Sequence, residues 1–312
     1  MTIKDMPPTG WSPSGRKVAV LTGGDSSERE VALASSKNVI NSLKDKHEID
    51  VFDFPKDIAK FLESYKKYQV AIPVFHGPGG EDGVIQGFLK TLGLPFIFSD
   101  VEAHAVGMDK ALSKYLAKQI GLLTAKDQIL NKLSKIEFKK SVVIKPLAGG
   151  SSIGISIAHN QFDLDKSLEE AFKYSDKVLI EDYIKGKELT VPIIDKGEES
   201  FALPVIEIRS KNTFFDYESK YDDKLAEEIC PAPIDDKLAK ELQKQALKMH
   251  QALGARHISR SDFIVVDSKI YFLEINTIPG MTNNSLTPKS IRAGGEDFAD
   301  LLDIWIKSVI GK

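Results

Sequence analysis

Along the chain, short apolar runs rich in β-branched residues alternate with stretches whose apolar positions recur every three or four residues. Lys17–Thr22 (KVAVLT) is such a run, closed by Gly23-Gly24, and it predicts a first strand. In the following EREVALASSKNVINSL, the positions Val31, Leu33/Ala34, Val39/Ile40 and Leu43 return at helical intervals. A second strand near Ile49–Phe54, a helix reaching Tyr65 and a strand over Gln69–Phe75 continue the rhythm. A βαβαβ order of this kind predicts a parallel sheet with helices on both faces. Further on, the apolar runs Val142–Pro146, Val178–Ile184, Ser261–Val266 and Ile270–Asn276 read as strands that each carry isolated charged residues. The last two, joined by Asp-Ser-Lys, read as a hairpin with a three-residue loop. Residues 1–16, with three prolines and two glycines, show no periodicity and read as a loose leader. Ser210–Glu228 is polar and aromatic with weak periodicity, and so long a connection in a compact domain predicts a lid or other functional loop.

Bulk properties narrow the picture only slightly. At 312 residues the chain fits two or three domains, with 42% hydrophobic and 28% charged residues, as in an ordinary globular protein. A net charge of −3 gives no broad basic field for nucleic acid. The single cysteine, Cys230, forms no internal disulfide, and no apolar run approaches a membrane span of about 20 residues. The N-terminus lacks an apolar signal-peptide core. A soluble cytoplasmic protein is the expectation.

Four motifs carry candidate chemistry. In the first, Gly23-Gly24-Asp25-Ser26-Ser27-Glu28, a strand ends in glycines and opens a helix, where free N–H groups can meet an anion. The full G-x-G-x-x-G fingerprint is absent, and strand–glycine–helix turns also arise for steric reasons alone. Glu28 suits the helix dipole; equally, it presents a carboxylate to a cation such as an ammonium group. The second, His76-Gly77-Pro78-Gly79-Gly80-Glu81-Asp82-Gly83, is a tight loop. Capping of helix Val84–Thr91 explains its acids but leaves His76 open. The third places Lys145 inside Val142–Pro146, followed by a glycine–serine loop to Gly154 suited to phosphates. Burying that lysine is costly unless it meets an anion. Glu181 and Glu188, about 30 residues on, offer carboxylates to the hydroxyl and amine donors of a nucleotide.

The fourth motif is the most specific. Glu274 and Asn276 are two residues apart in a strand and share a face. With the three-residue loop, Asp262 lies opposite Glu274 on that face, and an oxygen-only set of this kind suits Mg²⁺ with phosphate completing its shell. Arg260 adds a fixed positive charge for a transferring phosphoryl group. A one-residue slip in register sends Asp262 to the other side.

Taken together and in order, HGPGGEDG, GMDK, IKPLAGGSSIG, VLIEDYIKGKELTV, DYESKY, SRSDF and FLEINTIPGMTNNSLTP resemble the D-alanine–D-alanine ligase family of the ATP-grasp superfamily, from Lys17 to the C-terminus. The resemblance implies an α/β chain, α+β in its ATP-binding half: an ATP-grasp fold behind an N-terminal Rossmann-like parallel-sheet domain. The expected divisions are residues 1–102, 103–189 and 190–312, with the lid at 210–228. It implies that Lys110 and Lys145 contact phosphates under a loop bearing Gly150, Ser151 and Ser152. Glu181 and Glu188 would hold adenine and ribose, with Asp182, Tyr183 and Ile184 contributing from the hinge. Asp262, Glu274 and Asn276 would bind two Mg²⁺ ions, with Mn²⁺ as a possible substitute. Glu28, supported by His76, would take the ammonium of the first D-alanine, and Ser151 and Tyr221 would tie the lid to Glu28. Ser285 and the backbone of Leu286 would receive the second carboxylate, and Arg260 with the Gly280 N–H would form an oxyanion hole. A homodimer making D-Ala-D-Ala for peptidoglycan precursors is implied.

The sequence departs from the family pattern at Gly149 in the phosphate loop, at Gly107 in GMDK and in the ARHIS segment before Arg260. A D-alanine–D-lactate or D-alanine–D-serine ligase is the alternative within the superfamily, and Tyr221 favours the dipeptide. An oxidoreductase would need the missing G-x-G-x-x-G, and a pure nucleotide binder would have little use for Arg260 beside the acidic set.

Overall fold

The computed structural model describes residues 15–132, 136–147, 154–210 and 226–310. Gly150, Ser151, Ser152 and Tyr221, the central part of the expected lid (211–225) and most of the expected leader (1–14) lie outside them.

The first sheet is parallel, in the order β2 (Glu48–Phe54), β1 (Lys17–Gly23), β3 (Val70–Val74). Both faces of β1 are covered, which is why its sequence is continuously apolar rather than alternating. Val18 and Val20 face α1 (Arg29–Leu43) through a core containing Val39, Ile40 and Leu43. Ala19 and Leu21 face an aromatic core of Phe52, Phe54, Phe61 and Phe75, next to α2 (Ile58–Ser64) and α3 (Val84–Thr91). Two further helices, α4 (Val101–Met108) and α5 (Lys110–Gln119), follow; Asp109 caps α5 by accepting from the N–H groups of Ala111 and Leu112.

The chain then builds two more sheets. One is antiparallel, in the order β5 (Asp127–Asn131), β8 (Lys177–Asp182), β6 (Val142–Pro146), β7 (Ser156–Ala158), with α6 (Gln161–Ala171) on one side. The two-residue period of strands sorts its side chains. Val142, Ile144, Val178 and Ile180 share a core with Leu164 of α6 or pack against it. Val143, Lys145, Leu179 and Glu181 therefore take the opposite face.

The other sheet has seven strands, centred on β9 (Lys187–Lys196) and β13 (Ile258–Val266). β13 pairs with β14 (Lys269–Asn276), and β14 pairs in parallel with the short β4 (Leu123–Thr124). On the far side of β9 lie β11 (Ile206–Ser210) and β12 (Ala226–Ile229), which pair with each other, while β10 (Glu199–Ala202) pairs with the end of β9. Helix α7 (Asp236–Leu253) buries Leu242, Ala246, Met249 and Leu253 against this sheet and ends at Gly254 with φ 68°, a left-handed stop that glycine adopts without strain. Two last helices, α8 (Leu286–Ala293) and α9 (Phe298–Ile310), turn back: Leu301, Leu302, Trp305 and Ile306 of α9 join the core of the first sheet.

Candidate active site

The β13–β14 hairpin reaches the expected register by a different route. Its loop has two residues, Asp267 and Ser268, both with positive φ (47° and 62°), and Val266 pairs with Lys269. That loop by itself would place Glu274 beside Phe272 on the core face. A bulge between Phe263/Phe272 and Asp262/Glu274 inserts Leu273 as an extra residue and turns the strand over. Phe272 and Ile275, three apart, therefore both lie in the core, while Glu274 sits directly across from Asp262 and Asn276 across from Arg260.

Asp262 is buried and heavily engaged. Arg260 forks onto it, Nε donating to Oδ1 at 2.9 Å and Nη2 to Oδ2 at 2.8 Å. From β9, the Thr190 hydroxyl donates to Oδ1. Burial pulls the Arg260 guanidinium down, but Asp262, then Glu274 and Glu81, outweigh it and hold the group above its already high ordinary value. Arg260 is thus a permanent cation among three carboxylates. The bonds from Arg260 and Thr190, with a longer one from Asn276 Nδ2 to Oδ2 at 3.4 Å, engage all of the about four lone-pair positions on the Asp262 carboxylate, so a cation would take the place of the Asn276 donor. Asp262, Glu274 and the Asn276 amide oxygen together fit a hard cation as a partial shell that phosphate oxygens complete. Among the described residues no group of three or more His, Cys, Asp or Glu side chains is placed to hold a metal by itself.

Facing this hairpin is the free side of the four-stranded sheet. The anion that Lys145 meets is Glu181: Nζ lies 2.5 Å from Oε2, and both side chains are buried. Burial lowers the Lys145 ammonium, but Glu181, with Glu274 and Glu188, more than offsets this and keeps it charged. For Glu181, burial pushes up and the two lysines around it, Lys145 and Lys114, pull harder down, so it stays ionised. Glu188, two residues before Thr190 on β9, takes the face of Asp262 and lies opposite Ile264. Asp182–Ile184 are half-buried in the link between β8 and β9 that joins the two sheets. There the N–H of Asp182 donates to Lys126 O and that of Tyr183 to Ser141 O. Lys110 opens α5, buried, with its N–H on Leu147 O at the edge of the expected phosphate loop.

The third part lies at the carboxyl ends of β1 and β3. Glu28 stands buried at the N-terminus of α1, and Gly77 packs so closely that a Cβ there would lie 2.6 Å from Glu28 Oε2. Gly77 has φ 78°, so both its backbone and its neighbour require glycine. The Ser26 hydroxyl donates to His76 O at 2.7 Å, fastening the two loops together. His76 Nε2 is 3.0 Å from Ser35 Oγ, which also accepts the Met281 N–H at 3.2 Å. Asn38 donates to Met281 O at 2.7 Å, so α1 holds both backbone groups of Met281 beside Gly280. Gly280 abuts Ser285, the residue before α8, and a Cβ on Gly280 would lie 3.0 Å from its Oγ. In the HGPGGEDG loop Asp82 does accept the Val84 N–H, whereas Glu81 turns inward to take the Gly77 N–H at 2.7 Å.

The three parts form one electrostatic unit, because Arg260 feels Glu81 and Glu274, and Lys145 feels Glu274 and Glu188. Such a site can hold a polyanion against lysines and a cation, present a carboxylate to an ammonium, and keep a guanidinium at hand for developing negative charge. Sequence reading passed over Lys114, Thr190, Ser35 and the inward turn of Glu81. Only Lys114 had a visible signal, its place one helical turn after Lys110.

Comparison with known proteins agrees with this chemistry. The family model described as D-ala D-ala ligase C-terminus matches residues 106–307. The chain is 36% identical over 313 residues to a D-alanine–D-alanine ligase of Fervidobacterium nodosum, covering 95% of this chain and 99% of that one. It is 40% identical over 301 residues to one of Clostridium beijerinckii, covering 93% and 97%. Among solved structures, a Bacillus anthracis D-alanine–D-alanine ligase complexed with ATP superposes with a TM-score of 0.82, at 32% identity and 95% and 98% coverage. The VanG D-Ala:D-Ser ligase of Enterococcus faecalis superposes with a TM-score of 0.79, at 28% identity and 95% and 99% coverage.

Proposed function

Since this chain belongs to the D-alanine–D-alanine ligase family, we propose that the site described above joins two D-alanine molecules using ATP. The observation that carries this reading is the hairpin face on which Arg260, Asp262, Glu274 and Asn276 converge, electrostatically joined to Lys145 on one side and Glu81 on the other. The three expected divisions of the chain, 1–102, 103–189 and 190–312, meet around that face.

Lys110 and Lys145 hold the ATP phosphates, and Glu181 and Glu188 orient the adenosine. Gly150, Ser151 and Ser152 close over the phosphates. Asp262, Glu274 and Asn276 hold Mg²⁺, which when bound neutralises charge on the phosphates during transfer. Glu28 takes the ammonium of the first D-alanine with His76 beside it, leaving its carboxylate to accept the γ-phosphoryl group. The amine of the second D-alanine, its own carboxylate held by Ser285 and the Leu286 N–H, attacks the acyl phosphate. The oxyanion that forms is met by Arg260 and the Gly280 N–H. Arg260 uses Nε and Nη2 on Asp262, and Nη1 is the donor assigned to the oxyanion. Donors already in place typically contribute about 3–4 kcal/mol each. The intermediate collapses with loss of phosphate, giving D-Ala-D-Ala, ADP having formed when the γ-phosphoryl group was transferred to the first carboxylate. The segment 210–228, with Tyr221, excludes water from the acyl phosphate. Its ends are brought together where Ser210 pairs with Ala226. The same reading makes the enzyme a cytoplasmic homodimer that supplies peptidoglycan precursors. Among the described residues no helix is long and apolar enough to cross a membrane.

The test is phosphate release from ATP and Mg²⁺ with and without D-alanine. Stimulation by D-alanine, with D-Ala-D-Ala as product, is the expected result; release indifferent to D-alanine overturns the reading. Replacing the second substrate with D-serine or D-lactate separates a D-alanine–D-alanine ligase from a D-lactate type and from the D-serine type seen among its structural neighbours.

A further inference from the structure

Beneath the nucleotide face lies a buried charge to which the reaction gives no role. Lys114 is 1% exposed, on the same face of α5 as Lys110 one turn earlier. Its ammonium meets Glu181 Oε1, donates to Ala125 O at 3.3 Å and lies 3.6 Å from Asp127 Oδ2. Asp127 is in turn 2.5 Å from Lys118, a more exposed partner. Strand pairing sets Asp127 directly across from Glu181, so helix and sheet both deliver anions to this ammonium. Glu181 thus divides its two oxygens between two lysines, Oε1 to Lys114 and Oε2 to Lys145.

The division matters because Lys145 has a second task. If ATP is held as proposed above, Lys145 must turn part of its charge to a phosphate. A buried carboxylate whose only counter-ion leaves is strongly penalised, so a Glu181–Lys145 pair alone would resist the nucleotide. With Lys114 present, Glu181 keeps a second counter-ion when Lys145 turns to a phosphate. We propose that Lys114 is a positioning residue for the nucleotide: it keeps Glu181 ionised and in place when Lys145 is drawn to a phosphate. The low proton affinity of Glu181, which burial opposes and Lys145 and Lys114 enforce, agrees with this.

The inference rests on the ATP-binding reading, and its test reads nucleotide binding apart from ligation. Lys114→Met retains most of the stem and removes the charge. Calorimetric titration with Mg·ADP should show affinity weakened by roughly thirtyfold, the lower end of what losing one partner of a buried charge pair costs. KM for ATP should rise in step, with KM for D-alanine within about twofold of the parent. Unchanged ADP affinity, or a parallel rise in both KM values, overturns the proposal. A second arm stands even if Lys114→Met fails to fold. Glu181→Gln and the double variant Lys114→Met/Glu181→Gln should bind Mg·ADP within about twofold of each other, since no carboxylate remains to be held. A further large loss in the double variant shows that Lys114 does not act through Glu181. If the parent binds Mg·ADP but D-alanine fails to stimulate phosphate release, the ligase reading falls while the Lys114 result is still decided by titration.

Discussion

Glu274 owes its place to one extra residue, and its chemistry to the residues opposite. Changing only its charge, Glu274→Gln, should lower D-alanine-stimulated phosphate release by ~10²-fold or more while leaving the melting curve unchanged; near-normal release would sink the cation assignment. Gly77→Ala reads the other end of the site. Its Cβ would fall 2.6 Å from Glu28 Oε2 in a left-handed backbone, so KM for D-alanine should rise by about tenfold or more with KM for ATP little changed, as steady-state kinetics will show. His104 shows how burial makes a residue pH-sensitive. It is fully buried with Nδ1 2.6 Å from Thr277 Oγ1, and burial pulls its pKa down to about 4 against weaker opposing effects led by Glu81. The unfolded chain takes up the proton below its ordinary value of about 6.5. Stability is therefore fully present above that pH and is lost as pH falls toward 4, by up to about 3 kcal/mol. Urea unfolding at pH 7 and pH 4.5 should reveal this loss, and His104→Gln should shrink it.

At the scale of elements, the β13–β14 hairpin combines a tight turn with a bulge, and the two correct each other. A two-residue turn with both φ values positive matches the twist of the strands, yet alone it would bury Glu274 and Asn276 in the apolar core. Leaving Leu273 unpaired restores the face. Deleting Leu273 removes the bulge but keeps Phe272, Glu274, Ile275 and Asn276 in plain alternation with the same partners. Most D-alanine-stimulated phosphate release should therefore remain, as it should in Leu273→Ala; a folded but inactive deletion would show that the bulge itself, beyond the register, sets the site. The turn itself tolerates improvement. Asp267 and Ser268 both occupy the left-handed region, where Asn-Gly is less strained. Asp267→Asn/Ser268→Gly is expected to stabilise the protein by about 1 kcal/mol in urea titration without changing kcat.

For the whole molecule, chain order and spatial order part company. Helix α9, the last described element, packs on the first sheet: Trp305 is 1% exposed among residues of β1 and β3, and its Nε1 donates to Asp195 O at 2.8 Å. Ile194, Ile258 and Met281 enter the same core. The first sheet and the hairpin sheet thus share apolar contacts, which holds Glu28 and His76 in fixed relation to Arg260. Trp305→Ala should cost about 3–5 kcal/mol and lower the unfolding midpoint of the whole protein. A change confined to fraying of the C-terminal helix would contradict this shared core.

Local chemistry settled a good deal before any fold was known. Periodicity placed β1, α1 and β3, because a strand covered on both faces and a helix covered on one leave different apolar spacings. Motif chemistry marked Lys145, Glu181, Asp262, Glu274 and Asn276, since charges inside apolar strands must have partners. Distance defeated the rest. The Lys114–Glu181 contact spans 67 positions and Asn38–Met281 spans 243, and no local pattern encodes which side chains meet across such separations. The sequence also predicted the right facing pair, Asp262 and Glu274, through a loop one residue too long. Backbone twist at the turn and burial of Phe272 with Ile275 decided the actual path, and both are properties of packed sheets rather than of neighbouring residues. By itself, then, the sequence determined which residue types and motifs this ligase carries; tertiary packing decided which of them share a face, because burial and ion pairing act across space.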